Sequence, residues 1–199
     1  MDLIVSVTSP YARKARIVRL EKGLQDRVRV IEASPLAEGS QAIIRNPLGK
    51  VPSLILSDDR VLFDSPVICA YLDALDGAPT LTGQTGKARW ACEHAQALGD
   101  GIMDAAFSTV MERRRPKPEQ SDFWLARWQA SLDGGLDAMD RDIEARGDIF
   151  DVGAIACAVA LGYLDFRLPE TAWRTGRSAL QDWYAKQIAR PSFIETDYD

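Results

Sequence analysis

The chain has 199 residues, of which 46% are hydrophobic and 27% are charged, and this balance excludes a disordered protein. Its 24 Lys and Arg against 29 Asp and Glu give a formal net charge of −5, which argues against a general nucleic-acid-binding protein. The longest nearly apolar stretch, residues 152–164, is shorter than the roughly 20 residues that span a bilayer, so we expect no membrane partner.

The first 76 residues begin with the pattern of a β-α-β unit. Residues 3–7 form a compact, β-branched run that is typical of a strand buried on both faces. Ser9 and Pro10 suit the cap and the first position of the following helix, which Gly23 ends. Residues 28–31 then predict a second strand.

An irregular link leads from this unit to a predicted hairpin and helix. Residues 53–56 and 61–63 flank a Ser-Asp-Asp-Arg segment whose length and turn chemistry predict a β-hairpin. Ser65 and Pro66 open the next helix, with apolar residues along one of its sides.

The second part of the chain predicts helices only. Residues 77–86 are rich in Gly, Pro and Thr and predict a linker between a domain at 1–76 and another at 87–199. The segment at 152–167 is apolar nearly all round and should be the central buried helix. A Gly-Gly pair at 134–135 can weaken or bend the helix predicted at 119–146. The predicted helices cover residues 87–115, 119–146, 152–167 and 177–189.

The cysteine and histidine content gives no sign of a metal centre. Cys69, Cys92 and Cys157 are widely spaced and lie among alanines or aliphatic residues, which favours buried structural thiols over reactive ones. His94 is the single histidine, so no multi-histidine metal site can form, and we expect no metal. Residues 1–4 lack the pattern of a secretory signal, so we expect a cytoplasmic location.

Three segments carry candidate chemistry, and each also has a purely structural interpretation. Ser9 is either a helix cap or a hydroxyl that donates to an anion at the positive end of the helix dipole. Residues 46–52 form either an ordinary loop or one in which a cis bond before Pro52 presents the preceding backbone to a ligand. Asp64 and Ser65 form either a cap or a pair that binds an ammonium and a carboxylate.

The three segments together, in this order, resemble the N-terminal domain of cytosolic glutathione S-transferases. They are residues 8–14 (Thr-Ser-Pro-Tyr-Ala-Arg-Lys), 46–54 (Asn-Pro-Leu-Gly-Lys-Val-Pro-Ser-Leu) and 63–65 (Phe-Asp-Ser). The helical half agrees at 162–167 and 190–193, so the resemblance covers nearly the whole chain. It is most similar to the bacterial glutathione S-transferase-like proteins that begin Ser-Pro-Phe, here Ser-Pro-Tyr.

This resemblance implies a thioredoxin-like β-α-β-β-β-α domain followed by a helical bundle, with glutathione as co-substrate and a homodimer as the assembly. Ser9 would activate the glutathione thiol for attack on a small electrophile. A glutathione-dependent reductase, peroxidase, isomerase or dehalogenase would use the same site. A non-catalytic binding protein of the same fold is the alternative from another class.

The resemblance also implies how the rest of glutathione is held. The backbone of Val51, before a cis Pro52, would pair with the cysteinyl part. Asp64 and Ser65 would hold the γ-glutamyl end, and Lys50 could approach the glycyl carboxylate. These groups complement the two carboxylates and one ammonium of glutathione.

The electrophile pocket is expected between the two domains. Its candidates are Tyr11, Met103, Phe107 and Met111, although the helical spacing of the last three also suits a core or a dimer surface. Residues 113–115 (Arg-Arg-Arg) are predicted to be a solvated helix end, with attraction of an anionic substrate as the alternative.

Two further expectations concern charge and capping. The basic residues of the first helix should lie mostly outside and, with Lys50, form a basic rim near the glutathione site. At the start of the buried helix Asp151 can still act as a cap, but Ala154 lacks the carboxylate that completes a capping box. The residues predicted to face outward are Arg13, Lys14, Arg16 and Arg19, and the rim consists of the first three of these with Lys50.

Overall fold

A four-stranded sheet organises the N-terminal part of the chain in the computed structural model, which describes residues 1–75, 80–83 and 85–198. The strands lie in the order β2-β1-β3-β4, and β1 pairs in parallel with β2 and antiparallel with β3. Residues 3–5 have no exposed surface, as expected for a central strand covered on both faces. The strands are β1 (Asp2–Val5), β2 (Arg29–Glu32), β3 (Ser53–Ile55) and β4 (Val61–Leu62).

Three helices accompany the sheet: α1 (Pro10–Glu21), α2 (Gln41–Ile44) and α3 (Ser65–Ala74). The observed order is the predicted β-α-β-β-β-α with one addition, the short α2, which lies in the link predicted to be irregular. Strand β1 is shorter than predicted, because the Ser9 N–H bonds the Ser6 carbonyl at 3.0 Å in a turn that leads directly into α1.

The described residues from 85 onward form a helical bundle without a strand. Residues 152–164 are all buried, which confirms the predicted central helix, and the helix at 122–146 is continuous through its Gly-Gly pair. Of the predicted linker, residues 77–79 and 84 lie outside the described residues, and a domain division at 77–86 stays a prediction. The helices are α4 (Gly86–Arg113), α5 (Asp122–Arg146), α6 (Val152–Arg167), α7 (Ser178–Ile188) and α8 (Pro191–Glu195).

The N-terminus of α6 is capped by a single side chain. Asp151 accepts a hydrogen bond from the Ala154 N–H at 2.8 Å, and Arg146 donates to the same carboxylate oxygen at 2.6 Å. The predicted half of the capping box is therefore present. The arginine supplies an additional partner that the local sequence pattern did not indicate.

Helices α4 and α6 pack with backbone against backbone at two glycines. A Cβ added at Gly99 would lie 2.6 Å from the carbonyl carbon of Ala156. One added at Gly153 would lie 2.6 Å from the carbonyl oxygen of Cys92. Neither contact is with a flexible side chain, so the two helices can approach this closely only because glycine stands at both positions.

Replacing Gly99 by alanine is therefore expected to lower the free energy of unfolding by about 1–3 kcal/mol through overpacking. Gly101 is the matched control, because it lies on the exposed side of the same helix and an added Cβ there meets nothing within 4 Å. Gly101→Ala should leave stability unchanged or raise it by roughly 0.5–1 kcal/mol. Urea denaturation of both variants measures the difference, and equal stabilities would contradict the packing argument.

The charged residues of α1 form part of the contact between the sheet domain and the helical bundle. The Lys14 ammonium is completely buried and lies 2.6 Å from Asp100 of α4, and the buried Arg13 lies 3.0 Å from Asp197. Arg16 and Arg19 are partly buried. The predicted outward face and basic rim are therefore wrong, because helices α4, α6 and α8 cover the side of α1 that the local pattern assigns to solvent.

A second contact between the two parts joins Glu21 to the segment before α8. Arg190 donates to both carboxylate oxygens of Glu21, at 3.1 and 2.7 Å, and Ser192 donates at 2.5 Å. Burial raises the pKa of Glu21, but these hydrogen bonds outweigh it and hold the pKa below the ordinary value of 4.5. The ionised carboxylate therefore stabilises the folded state.

Glu21→Gln should lower the free energy of unfolding at pH 7 by about 1–2 kcal/mol. Because the folded-state pKa is the lower one, the stabilisation is present above about pH 4.5 and is lost as the pH falls through the folded pKa. The parent and variant should therefore converge in acid. Glu144→Gln, at an exposed position of α5, is the control. A stability difference that stays constant with pH in unfolding curves would contradict the assignment.

Candidate functional site

A cavity of about 760 Å³ lies between the sheet domain and the helical bundle. The sheet domain contributes the β1–α1 turn, the loop at 34–36, the loop at 46–52 and the start of α3, and the bundle contributes α4 and the end of α6. All the residues predicted to bind glutathione line this one cavity: Ser9, Lys50, Val51, Pro52, Asp64 and Ser65.

Ser9 caps helix α1 and still has a proton to donate. Its Oγ accepts a hydrogen bond from the Ala12 N–H at 3.3 Å, so the capping interpretation is correct. A hydroxyl that accepts one bond can donate another, and among the described residues no acceptor takes the Ser9 proton. Pro10 occupies the first helical position and has no backbone N–H to donate. The Ser9 hydroxyl is therefore the group that can donate a hydrogen bond to an anion at this helix N-terminus.

Tyr11, the next hydroxyl along the chain, is already engaged. Its OH donates to Asp104 of α4 in a short hydrogen bond across the cavity. Burial, and then the bond to Asp104, raise the pKa of Tyr11, so the phenol stays protonated at neutral pH. Its proton is therefore directed to the carboxylate and not to a ligand sulfur.

The loop at 46–52 is held by a buried asparagine. The Asn46 side chain donates to the Lys50 carbonyl at 2.9 Å and accepts from the Leu48 N–H at 2.9 Å. The peptide bond between Val51 and Pro52 is cis, as expected. This well-bonded loop places Val51 in the wall of the cavity, and its presentation of backbone to a ligand stays a prediction.

Asp64 stands at the cap position of α3 but does not use its side chain there. Its backbone is extended, its carboxylate is exposed, and it makes no hydrogen bond to the N–H groups of the helix. Ser65 follows as a buried residue at the first helical position. The peptide bond between Phe63 and Asp64 is also cis. The carboxylate is thus available to a cation in the cavity, which the capping interpretation would not have predicted.

Three of the four residues predicted for the electrophile pocket line the cavity, namely Tyr11, Phe107 and Met111. Met103 does not, and that prediction is corrected: its side chain is completely buried in the core. A step of four residues rotates an α-helix by roughly 40° beyond a full turn. Met103 and Met111 therefore point about 80° apart, one into the core and one into the cavity.

The comparisons with known proteins agree with this arrangement. Residues 8–75 match the family model described as glutathione S-transferase, N-terminal domain, and residues 122–186 match the corresponding C-terminal domain. The uncharacterized GST-like protein YibF of Escherichia coli is 34% identical over 99% of this chain and 98% of its own length. The chain belongs to the glutathione S-transferase family. Both halves of the predicted fold class, the thioredoxin-like domain and the helical bundle, are thereby confirmed.

Solved structures of this family extend the similarity to the whole chain. A glutathione S-transferase from Methylobacillus flagellatus with glutathione bound is 36% identical, with a TM-score of 0.94 and coverage of 100% of this chain and 99% of that one. A glutathione transferase family member from Pseudomonas fluorescens, with bound S-(propanoic acid)-glutathione, is 34% identical with a TM-score of 0.92 and complete coverage of both chains.

Two basic residues of the helical bundle line the cavity, and only one of them, Arg114, was predicted, as an alternative site for an anionic substrate. Arg114 and Arg167 both do so, together with Tyr163. The prediction of a solvated helix end at 113–115 is confirmed, because all three arginines are exposed. Arg113 and Arg115 form ion pairs, whereas Arg114 lines the cavity. No local signal distinguishes the three arginines, because the side each one faces depends on how the ends of α4 and α6 meet.

The protein's own thiols are not part of the site. Cys69, Cys92 and Cys157 are all buried, as predicted, and none lines the cavity. Burial raises the pKa of Cys69 and Cys157 to about 12 and that of Cys92 to about 11. These thiols are therefore protonated at neutral pH and poor nucleophiles.

The described part of the chain offers neither a metal-binding cluster nor a membrane-spanning helix. Within residues 1–75, 80–83 and 85–198, no group of three or more His, Cys, Asp or Glu is arranged to hold a metal ion. No described helix is both long and apolar enough to cross a bilayer.

Proposed function

We propose that this protein is a glutathione transferase that stabilises the thiolate of bound glutathione through Ser9 for attack on a small electrophile. The observation that carries the proposal is the Ser9 hydroxyl, which lies at the N-terminus of α1 in the same cavity as Asp64 and the loop before Pro52. The relatives that hold glutathione or a glutathione conjugate at 34–36% identity support it.

The charges around the cavity complement glutathione. The exposed Lys50 ammonium suits the glycyl carboxylate, and the Asp64 carboxylate suits the γ-glutamyl ammonium. Ser65, at the start of α3, suits the γ-glutamyl carboxylate because the N-terminus of a helix attracts anions. The backbone of Val51 would pair with the cysteinyl residue between these two ends.

The proposed chemistry depends on the ionisation of the glutathione thiol. A free thiol has a pKa of about 8.5, so little thiolate is present at neutral pH. A hydrogen bond from Ser9, together with the dipole of α1, would lower that pKa by about one to two pH units. A pKa change of one pH unit corresponds to about 1.4 kcal/mol of stabilisation of the thiolate. Serine cannot form a mixed disulfide, so this site favours conjugation over thiol–disulfide exchange.

Calorimetric titration with glutathione tests whether the cavity is a binding site at all. We expect saturable binding and a rise in melting temperature with glutathione concentration. If glutathione neither binds nor stabilises the protein, every glutathione-dependent activity is excluded and a non-catalytic protein of the same fold remains. If it binds but no electrophile is conjugated, assays with peroxides and disulfides distinguish the reductase and peroxidase alternatives.

Assembly and location remain part of the proposal. A homodimer is supported by exposed aromatic side chains on the helical bundle, with Phe123 71% exposed and Trp90 66% exposed. Three free, buried cysteines suit a cytoplasmic location. Sedimentation velocity of the purified protein measures the oligomeric state directly.

A further inference from the structure

Two arginines in the wall of the cavity have a charge that no carboxylate in the described part of the chain balances. Arg114 follows the last residue of α4 and Arg167 is the last residue of α6, and both line the cavity. Among residues 1–75, 80–83 and 85–198, neither guanidinium has a carboxylate within 4 Å. Two neighbouring cations without counter-charges in a concave wall form a site for an anion.

The arginines on either side of Arg114, which lie outside the cavity, do have carboxylate partners. Arg113 forms an ion pair with Glu170, and Arg115 lies 3.7 Å from Glu112 and 3.5 Å from Glu119. Among the described residues, Arg114 is the one of the three consecutive arginines that lines the cavity and has no acidic partner, and its guanidinium donates to the Met111 sulfur at 3.9 Å.

Both guanidiniums lie close to the buried phenol of Tyr163. The Arg167 guanidinium stacks on the Phe166 ring, with its carbon 3.9 Å from the ring centroid, which fixes its orientation. Burial raises the pKa of Tyr163, while the charges of Arg167 and Arg114 act in the opposite direction. A single small anion could therefore meet both arginines beside Tyr163.

The acidic residues of the cavity do not cancel this charge. Asp104 accepts the hydrogen bond from Tyr11. Asp64 belongs to the sheet domain, where the proposed function assigns it to the γ-glutamyl ammonium. The part of the wall formed by the ends of α4 and α6 is therefore cationic, and it adjoins the apolar surface of Phe107 and Met111.

We propose that Arg114 and Arg167 select electrophiles that carry a carboxylate close to the reacting carbon. This inference rests on the proposed function and names its substrate class. For a halogenated acid, the thiolate sulfur forms a bond to the carbon that bears the halogen, and the carbon–halogen bond breaks. The halide leaves with the bonding electron pair, and the thiol proton has already passed to solvent. The product is an S-carboxyalkyl glutathione.

The test compares two conjugates that differ only in charge, S-(carboxymethyl)glutathione and its amide, S-(carbamoylmethyl)glutathione. Calorimetry on the parent protein should show that the acid binds about tenfold more tightly than the amide, which is the typical value of a hydrogen bond to a charged group. The preference should decline as salt is added. This comparison needs no variant.

The variants Arg114→Gln and Arg167→Gln, and the pair together, assign the preference to the two side chains. We expect each single change to reduce the preference for the acid over the amide, and the double variant to abolish that preference. The affinity for glutathione itself should be unchanged. Arg115→Gln, an adjacent ion-paired position outside the cavity, is the matched control and should retain the preference.

Several results would overturn the inference. Equal affinity of the parent for acid and amide, or a preference that survives in the double variant, removes the two arginines from substrate selection. A double variant that loses affinity for glutathione and for both conjugates alike would show that the arginines hold glutathione itself. If the parent binds glutathione but not the acid preferentially, only this inference fails. If glutathione does not bind, the proposed function fails and the inference with it.

Discussion

Ser9→Ala is expected to lower the rate of conjugation by about 10- to 100-fold near pH 6.5, while the affinity for glutathione changes by less than about threefold. If Ser9 lowers the pKa of the bound thiol by one to two, its loss reduces the thiolate fraction by the same one to two orders of magnitude. The bond to sulfur is made to the reacting atom, so its loss affects turnover more than binding. Single-turnover measurement of conjugate formation avoids interference from slow product release.

Ser9 also caps α1, so the variant needs a control for stability. Removing the cap bond to the Ala12 N–H should cost about 0.5–2 kcal/mol of folding free energy. Ser121→Ala removes a bond of the same type, from the Trp124 N–H at 3.4 Å, at the start of α5 and outside the cavity. It should lose comparable stability and retain full activity. Ser9→Thr keeps the hydroxyl and should recover part of the rate. Equal activity of Ser9→Ala and the parent would remove Ser9 from catalysis.

Asp64→Asn is expected to weaken glutathione binding by about 10- to 100-fold, with a much smaller effect on the rate at saturating glutathione. The change keeps the size of the side chain and removes its charge, so the charge-assisted bond to the γ-glutamyl ammonium is lost. Such bonds contribute about 1.5–3 kcal/mol. The ammonium is remote from the sulfur, and the effect should therefore be in the dissociation constant, which calorimetry measures.

The hairpin between β3 and β4 provides the control for this variant. Asp58 is exposed, pairs with Arg60 at 2.7 Å and does not line the cavity. Asp58→Asn makes the same chemical change in the same domain and should leave the glutathione affinity within twofold of the parent. An unchanged dissociation constant in Asp64→Asn would defeat the assignment of Asp64 to the γ-glutamyl end.

The elements set by local patterns were predicted closely from the sequence. The cap and first position at Ser9 and Pro10 placed the start of α1 correctly, because those residue types satisfy the first N–H groups of a helix wherever it occurs. The apolar residues 152–164 indicated a buried helix for a similar reason. The short α2 was missed, because four residues hold too little periodicity to be recognised.

Predictions that depended on contacts between the two parts of the chain were less successful. Arg13 and Lys14 were expected outside, since charged residues along one side of a helix usually face water. Here the helical bundle covers that side and supplies Asp197 and Asp100 as partners. Met103 was expected in the cavity and lies in the core for the same reason, since the orientation of α4 against α6 decides which residues face the cavity.

The candidate site also combines a part that local sequence patterns predict with a part that depends on how the helices pack. Three short segments of the sheet domain, recognised by their order in the sequence, supply all six residues predicted to bind glutathione, and all six line the cavity. The loop at 34–36 lines the same side and was not predicted. The opposite side includes the ends of α4 and α6, where Arg114 and Arg167 are separated by more than fifty positions in the chain. Only the folded structure brings those two residues to one wall.

The most direct test of the account is the pKa of the glutathione thiol when it is bound to this protein. Ultraviolet difference spectroscopy follows thiolate formation as the pH of the complex is raised. We expect a bound thiol pKa of about 6.5–7.5, and a return towards the free value of about 8.5 in Ser9→Ala. A bound thiol that titrates near 8.5 in the parent protein would contradict it.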